Sequence, residues 1–181
     1  MTPPLIILTG ASGAGKTTLA RHLREVSSDP VRVLFFDSIG VPSLKDMIAD
    51  FGSGEEWQRI HTLQWMARIR TLLSGQIPVL FEGQMRIQFI EEALAAQHIE
   101  SARIVLVDCD DATRRTRLHR DRGQPHLANA EMMNWARYLR AEAMARNLEI
   151  LDTGRQSVEE CLSRIKTLLF PRPRSEEPST T

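Results

Sequence analysis

Five short apolar runs constrain this fold more than any other feature of the chain. They cover residues 5–8, 31–36, 77–81, 104–107 and 148–151. None alternates polar with apolar residues, as a half-exposed strand would. Short unbroken runs of this kind fit strands buried on both faces, the pattern of a parallel sheet covered by helices. Pro78 sits at the start of the third run, where a missing N–H is tolerable. Segments of helical period lie between the runs. Leu19, Leu23 and Val26 share one face, and Ile60, Leu63, Ala67 and Leu72 share another. Asp110 is placed to cap a helix that Gly123 ends, and Asn129 to cap one reaching about Arg146. Alternating strand and helix predicts βαβ units and a doubly wound α/β sheet.

Composition narrows the class further. The chain has 181 residues, 42% hydrophobic and 25% charged, which excludes collagen-like and disordered chains. Lys and Arg number 23, as do Asp and Glu, so there is no global pull toward nucleic acid or anionic lipid. Two cysteines, Cys109 and Cys161, build neither a disulfide framework nor a zinc site alone. No run approaches the length of a membrane helix, and the 5–8 run is too short for a signal sequence. A cytoplasmic protein is expected, monomeric or homodimeric. One domain over residues 1–170 is predicted, followed by a proline-rich polar tail, 171–181, read as disordered.

Gly10, Ala11, Ser12, Gly13, Ala14, Gly15, Lys16 and Thr17 match G-x-x-x-x-G-K-[ST], with an apolar run before and an amphipathic stretch after. Glycines let successive backbone N–H groups curl around phosphate oxygens. The helix start adds its positive dipole end. Lys16 can reach the outer phosphates as a point charge, and Thr17 can place its hydroxyl on Mg²⁺.

With this loop in place, the chain resembles the small P-loop kinases: nucleoside monophosphate kinases, shikimate and gluconate kinases, and polynucleotide kinase domains. The resemblance covers about residues 4–170. It implies the P-loop NTPase fold, a five-stranded parallel sheet flanked by helices with a helical lid at about 110–126. It also implies ATP and Mg²⁺, nucleotide contacts from Gly10 through Thr18, and an acceptor-binding region at about 38–75. No N/T-K-x-D motif follows a strand, which argues against a GTPase. The length leaves no room for the extra helical domain of AAA+ machines.

Two acids follow strands and so are delivered to the carboxyl edge of the sheet, where ligands bind in open α/β folds. Asp37 matches the position at which kinases of small hydroxyl compounds often hold an aspartate that takes the acceptor's proton. Glu82, in Phe81-Glu82-Gly83-Gln84-Met85-Arg86, resembles the acid of the Asp-Gly-x-Pro-Arg segment of monophosphate kinases. That likeness puts Glu82 near the metal or the acceptor and Arg86 on an acceptor phosphate. The acid is one methylene longer than in that family, and Met85 replaces the proline. Trp57, Arg59 and His61 are further candidates for acceptor contact.

Arg114, Arg115, Arg117, Arg120 and Arg122 crowd into nine positions, joined by Arg103 before them. So many like charges repel one another, and the arginines are expected to lack anchors until an anion arrives. The family's lid lies here. In the family such arginines stack on the nucleotide base and clamp the transferring phosphoryl group; the likeness puts Arg114 among the nucleotide contacts and Arg117 and Arg120 among the catalytic groups, without dividing those two tasks between them. Arg137 and Arg140 are candidates for a further clamp, and Thr153, Gly154 and Arg155 for contacts bordering the base. The expectation is an ATP-dependent kinase acting on a small hydroxyl acceptor. A nucleoside monophosphate is the alternative acceptor, and a 5′-hydroxyl oligonucleotide is left open. A non-catalytic nucleotide-binding regulator or NTPase switch is the rival class, which has no use for an acceptor acid.

Overall fold

The structure is a computed structural model and describes residues 3–121 and 123–171. Among these residues, five strands form one sheet: β1 (Leu5–Thr9), β2 (Arg32–Phe35), β3 (Val79–Glu82), β4 (Ala102–Asp108) and β5 (Glu149–Asp152). All pairings are parallel, in the order β2-β3-β1-β4-β5. The side chains Leu5, Ile6, Ile7 and Leu8 of β1 are wholly buried, which is why that run shows no alternation. Burying each such side chain stabilises the fold by roughly 1.5–3 kcal/mol.

Among the described residues, seven α-helices lie between and after the strands: α1 (Lys16–Val26), α2 (Leu44–Phe51), α3 (Gly54–Leu72), α4 (Ile87–Ala96), α5 (Asp111–Thr116), α6 (Ala130–Ala145) and α7 (Val158–Leu169). One face of the sheet packs Ile6, Leu8, Val105 and Val107 against Leu19 and Leu23 of α1 and Ile165 of α7. The other packs Leu5, Ile7 and Phe81 against Trp65, Met66 and Ile69 of α3 and Ile90 of α4. Asp110 and Asn129 cap α5 and α6 through the Thr113 and Met132 N–H groups, as their positions predict. No helix among the described residues is long and apolar enough to cross a membrane. Arg122 and residues 172–181, which hold most of the expected disordered tail, lie outside the described residues.

Two helix faces differ from expectation. Val26 is exposed at the end of α1. On α3 the buried side chains are Trp57, Thr62, Trp65, Met66 and Ile69, while Ala67 is exposed. The two tryptophans decide that face, because each buries far more area than Leu63 or Ala67 can.

Sheet order positions the site. β1 is central, with β3 and β4 on its two sides, so the chain leaving β1 enters the crevice where the strand order reverses. The register sets Leu8 and Phe35 beside Glu82, and Asp108 beside Asp152. The loop after Thr9, the turn after Phe35 and the ends of β3, β4 and β5 therefore share one edge.

Candidate active site

The loop from Gly10 to Gly15 wraps into the start of α1. Gly10 has φ 152°, and a Cβ there would lie 2.1 Å from the Val107 carbonyl oxygen, so no side chain fits between loop and β4. Lys16 is 6% exposed, and its Nζ donates to the Ala11 carbonyl at 3.1 Å across the loop. The Thr17 hydroxyl donates to Glu82 Oε1 at 3.0 Å. That bond spends the hydroxyl proton and leaves the oxygen's lone pairs for a cation. Thr9, buried at the end of β1, donates its hydroxyl to the Met85 carbonyl and accepts from the Met85 N–H. Ser12 donates to Gln84 Oε1 at 3.0 Å. Loop and β3 end are thus tied at three points.

A cavity of about 750 Å³ opens along α1. Gly13, Gly15, Lys16, Thr17 and Thr18 form its inner end. Arg117, Thr153 and the start of α7 form its far side. The Arg117 guanidinium donates to the Thr153 hydroxyl and carbonyl, both at 2.8 Å, and Thr153 Oγ1 lies 2.7 Å from the Ala14 carbonyl. Asp121, Gln124, Gln156, Ser157 and Val158 also line this space, and no residue pattern in the sequence singles them out.

The expected arginine cluster separates into distinct environments. Arg114 is wholly buried. Its guanidinium donates to the Ser12 carbonyl at 2.9 Å, to Asp108 Oδ1 at 2.5 Å and to the Cys109 carbonyl at 3.1 Å. It braces the loop from behind and does not line the cavity, unlike the nucleotide contact expected of it. A short π-helix, Arg117–Asp121, follows α5 and turns Arg117 to the cavity. Arg120 is exposed on that turn and is not among the cavity's lining residues. Arg115 reaches the Ala128 carbonyl. The expectation of unanchored arginines fails for Arg114, Arg115 and Arg117, because backbone carbonyls, the Thr153 hydroxyl and Asp108 supply acceptors that a count of acidic residues misses. Arg103 is exposed near the start of β4, at the opposite edge of the sheet.

Asp108 is the residue that sequence reasoning overlooked. It is buried at the end of β4 and bonds Arg114 through Oδ1 and Arg140 through Oδ2, the latter at 2.7 Å. That bond raises the Arg140 pKa above its ordinary value. Arg137 pairs with Asp111 at 2.9 Å. These pairs wall a second cavity of about 450 Å³, which Arg155 also borders. Arg155 and Gly154 lie away from the first cavity's lining, unlike Thr153. Burial pushes the Cys109 thiol up, over the opposing influence of Arg114 and Arg117.

On the other side of the loop, Asp37 is exposed in a short 3-10 turn, Phe36–Ile39. Its strand, β2, is separated from β1 by β3, so Asp37 stands next to Glu82's strand and one strand away from the loop's own. A Cβ at Gly83 would lie 2.4 Å from Phe36 Cβ, a contact that holds the two strand ends close. Arg86 pairs with Glu55 at 3.1 Å, and its guanidinium lies 5.0 and 5.2 Å from the ring centres of Trp135 and Tyr138. Gln58 accepts from the Arg86 N–H and donates to the Gln84 carbonyl, joining α3 to this edge. Trp57 is buried, Arg59 pairs with Glu92 and Glu56, and His61 packs against Phe51 and Trp57. All three are thus engaged with neighbouring side chains of the fold.

Solved structures of similar fold include the shikimate kinase from Acinetobacter baumannii in complex with shikimate, at 20% identity and TM-score 0.63, covering 96% of this chain and 97% of that one. A sugar kinase from Janibacter sp. HTCC2649 matches at 16% identity and TM-score 0.69, covering 92% and 94%. The Mycobacterium tuberculosis APS kinase in complex with AMPPNP and APS matches at 17% and 0.59, covering 93% and 98%. No curated protein sequence matches the chain. A family model described as the AAA domain matches residues 6–136, from β1 into α6 and with the phosphate loop inside the matched region. With close to three quarters of its length matched, this P-loop α/β chain belongs to the AAA domain family.

Proposed function

We propose that the protein is an ATP-dependent phosphotransferase that moves the γ-phosphoryl group to the hydroxyl of a small molecule. The observation that carries this reading is the grouping of Lys16, Thr17 and Glu82 at the phosphate loop with Asp37 at the neighbouring strand end. A nucleotide binder that only switches has no use for the second acid.

The site fits ATP and Mg²⁺ on its own geometry. The loop leaves no space for a Cβ at Gly10, and the adjoining cavity is of ligand size. No cluster of three or more His, Cys, Asp or Glu suited to a metal occurs among the described residues. Thr17 and Glu82 offer oxygen ligands only, which suits Mg²⁺ held jointly with substrate phosphates. Thr17 and Glu82 would hold the ion, which would supply neutralisation of the charge on the transferring phosphoryl group. Lys16 stabilises the same charge from a water-poor position, and Arg117 closes the outer side. Asp37 orients the acceptor hydroxyl and accepts its proton as the oxygen bonds to the γ-phosphorus. The bond to the β-phosphate oxygen breaks and ADP leaves.

A phosphate acceptor is less well served. Glu55 already pairs with Arg86 and would repel a second anion there. Labelled ATP with a panel of alcohols, sugars, nucleosides, monophosphates and 5′-hydroxyl oligonucleotides tests the reading. Label should pass to a hydroxyl acceptor, with ATP turnover near background when no acceptor is present. Rapid acceptor-independent hydrolysis would assign the chain to the NTPase switches.

A further inference from the structure

Six large apolar side chains are exposed among the described residues, and four of them fall within ten positions: Ile39, Val41, Leu44 and Ile48, at 43–64% exposure. They follow Asp37 directly. Leu44 and Ile48 are one turn apart on α2, a helix with no fully buried residue. Met47 and Phe51 pack inward against the core, so Leu44 and Ile48 are left facing out. Gly40 and Gly52 flank the segment with φ of 85° and 82°, and neither has an atom within 4 Å of where a Cβ would stand.

Its position links it to the acceptor edge. Leu44 Cδ1 lies 3.3 Å from where a Cβ on Gly54 would be. The next residue, Glu55, pairs with Arg86, and Gln58 one turn on binds the Arg86 N–H and the Gln84 carbonyl. The apolar patch is thus continuous in the chain with Asp37 at one end and adjoins the Glu55–Arg86 pair at the other. A polyol or sugar acid is held chiefly through charged and hydrogen-bonding groups, because hydroxyls stripped of water without partners are costly. Over residues 39–49 the only charged groups are Lys45 and Asp46, and Asp46 is already hydrogen-bonded to Ser43.

We infer that α2 with its preceding loop is the apolar wall of the acceptor site, and that the acceptor is an alcohol with a predominantly apolar body. This rests on the kinase reading above and specifies its substrate class. The hydroxyl end meets Asp37 while the body lies against Val41, Leu44 and Ile48, which supply affinity by removing apolar surface from water.

The test uses the full chain loaded with a non-hydrolysable ATP analogue and Mg²⁺, with 2-(2-naphthyl)ethanol as a fluorescent probe. The double variant Leu44→Lys/Ile48→Lys changes only exposed side chains, so folding should be retained. Met144→Lys makes the same change on an equally exposed residue of α6 as a control. Saturable probe binding, weakened about tenfold or more in the double variant and unchanged in Met144→Lys, supports the inference. With labelled ATP, transfer to naphthylethanol should exceed transfer to gluconate, shikimate or adenosine monophosphate. Equal probe binding in all three proteins, no saturable binding, or preferred transfer to the polar acceptors overturns it while leaving the kinase reading standing. A wild-type dimer that the double variant dissolves overturns it too, by assigning the patch to a second copy. Failure to bind the ATP analogue at all would instead remove the kinase reading beneath it.

Discussion

The two flanks of the phosphate loop are built on opposite principles. Toward β4 and β5 the loop is clamped by a hydrogen-bonded network: Arg114 on the Ser12 carbonyl, Asp108 between two arginines, and Thr153 between Ala14 and Arg117. Toward β2 the wall is α2, which buries no side chain fully and turns Leu44 and Ile48 outward. A phosphate group presents one geometry whatever molecule carries it, so a rigid mould suits that flank. An acceptor has to enter, be enclosed and leave, so its wall stays loosely packed.

The predictions probe that contrast. Lys16→Ala removes the one lysine of the loop from a buried position. Turnover should fall by about 10³-fold with the fold intact, the scale expected for one preorganised charged donor. Steady-state transfer on a variant with unaltered circular dichroism reads this, and undiminished turnover would overturn the loop's assignment. Arg114→Ala strikes the rigid flank from behind and leaves Asp108 with Arg140 alone. Breaking a buried pair on one side costs about 3–5 kcal/mol, with the lower end expected because Arg140 remains. Urea denaturation measures it, and a loss under 1 kcal/mol would show that the brace is ornamental.

Gly83→Ala tests the joint between the flanks. The added Cβ meets Phe36 Cβ, so the Phe36–Ile39 turn must move, at about 1–3 kcal/mol for overpacking. Transfer should drop while affinity for the ATP analogue stays the same, and parallel losses in both would place Gly83 on the nucleotide flank instead. The smallest effect concerns Asp110. The N–H and hydroxyl of Thr113 hold its carboxyl below the usual range. A lowered folded pKa adds stability above the unfolded value and loses it as pH falls through the folded one. Protection of the Thr113 amide, after correction for intrinsic exchange, should hold from neutral pH to about 4 and decline below that. In Asp110→Ala that decline should vanish.

Much of the rigid flank was legible in the chain. Runs without alternation marked strands buried on both faces, the glycine spacing marked the loop, and Asp110 and Asn129 marked helix starts through their capping chemistry. Arg114 was misjudged because charge density in a sequence carries no record of carbonyl acceptors, and the Ser12 and Cys109 carbonyls come from segments brought close only by folding. The strand-end argument that picks out Asp37 applies equally to Asp108. Only the structure separates an acid that faces solvent from one sealed by two arginines. On the open flank, helical period alone chose Ile60, Leu63 and Ala67, whereas Trp57 and Trp65 settled the face by area. The apolar wall at Ile39–Ile48 has no motif, since any short amphipathic helix carries the same pattern whether its apolar side is covered or left open.

Asp37→Asn tests the central claim most directly, because it keeps the side chain's size and removes only its charge and proton-accepting power. Transfer from ATP to a hydroxyl acceptor and affinity for the ATP analogue should be measured on the same preparation. The account predicts transfer lower by roughly 10²–10⁴-fold, the usual worth of a general base, with nucleotide affinity unchanged. Near-normal transfer in Asp37→Asn would contradict it and move the acceptor site to Glu82 and Arg86, as in a kinase whose acceptor is already an anion.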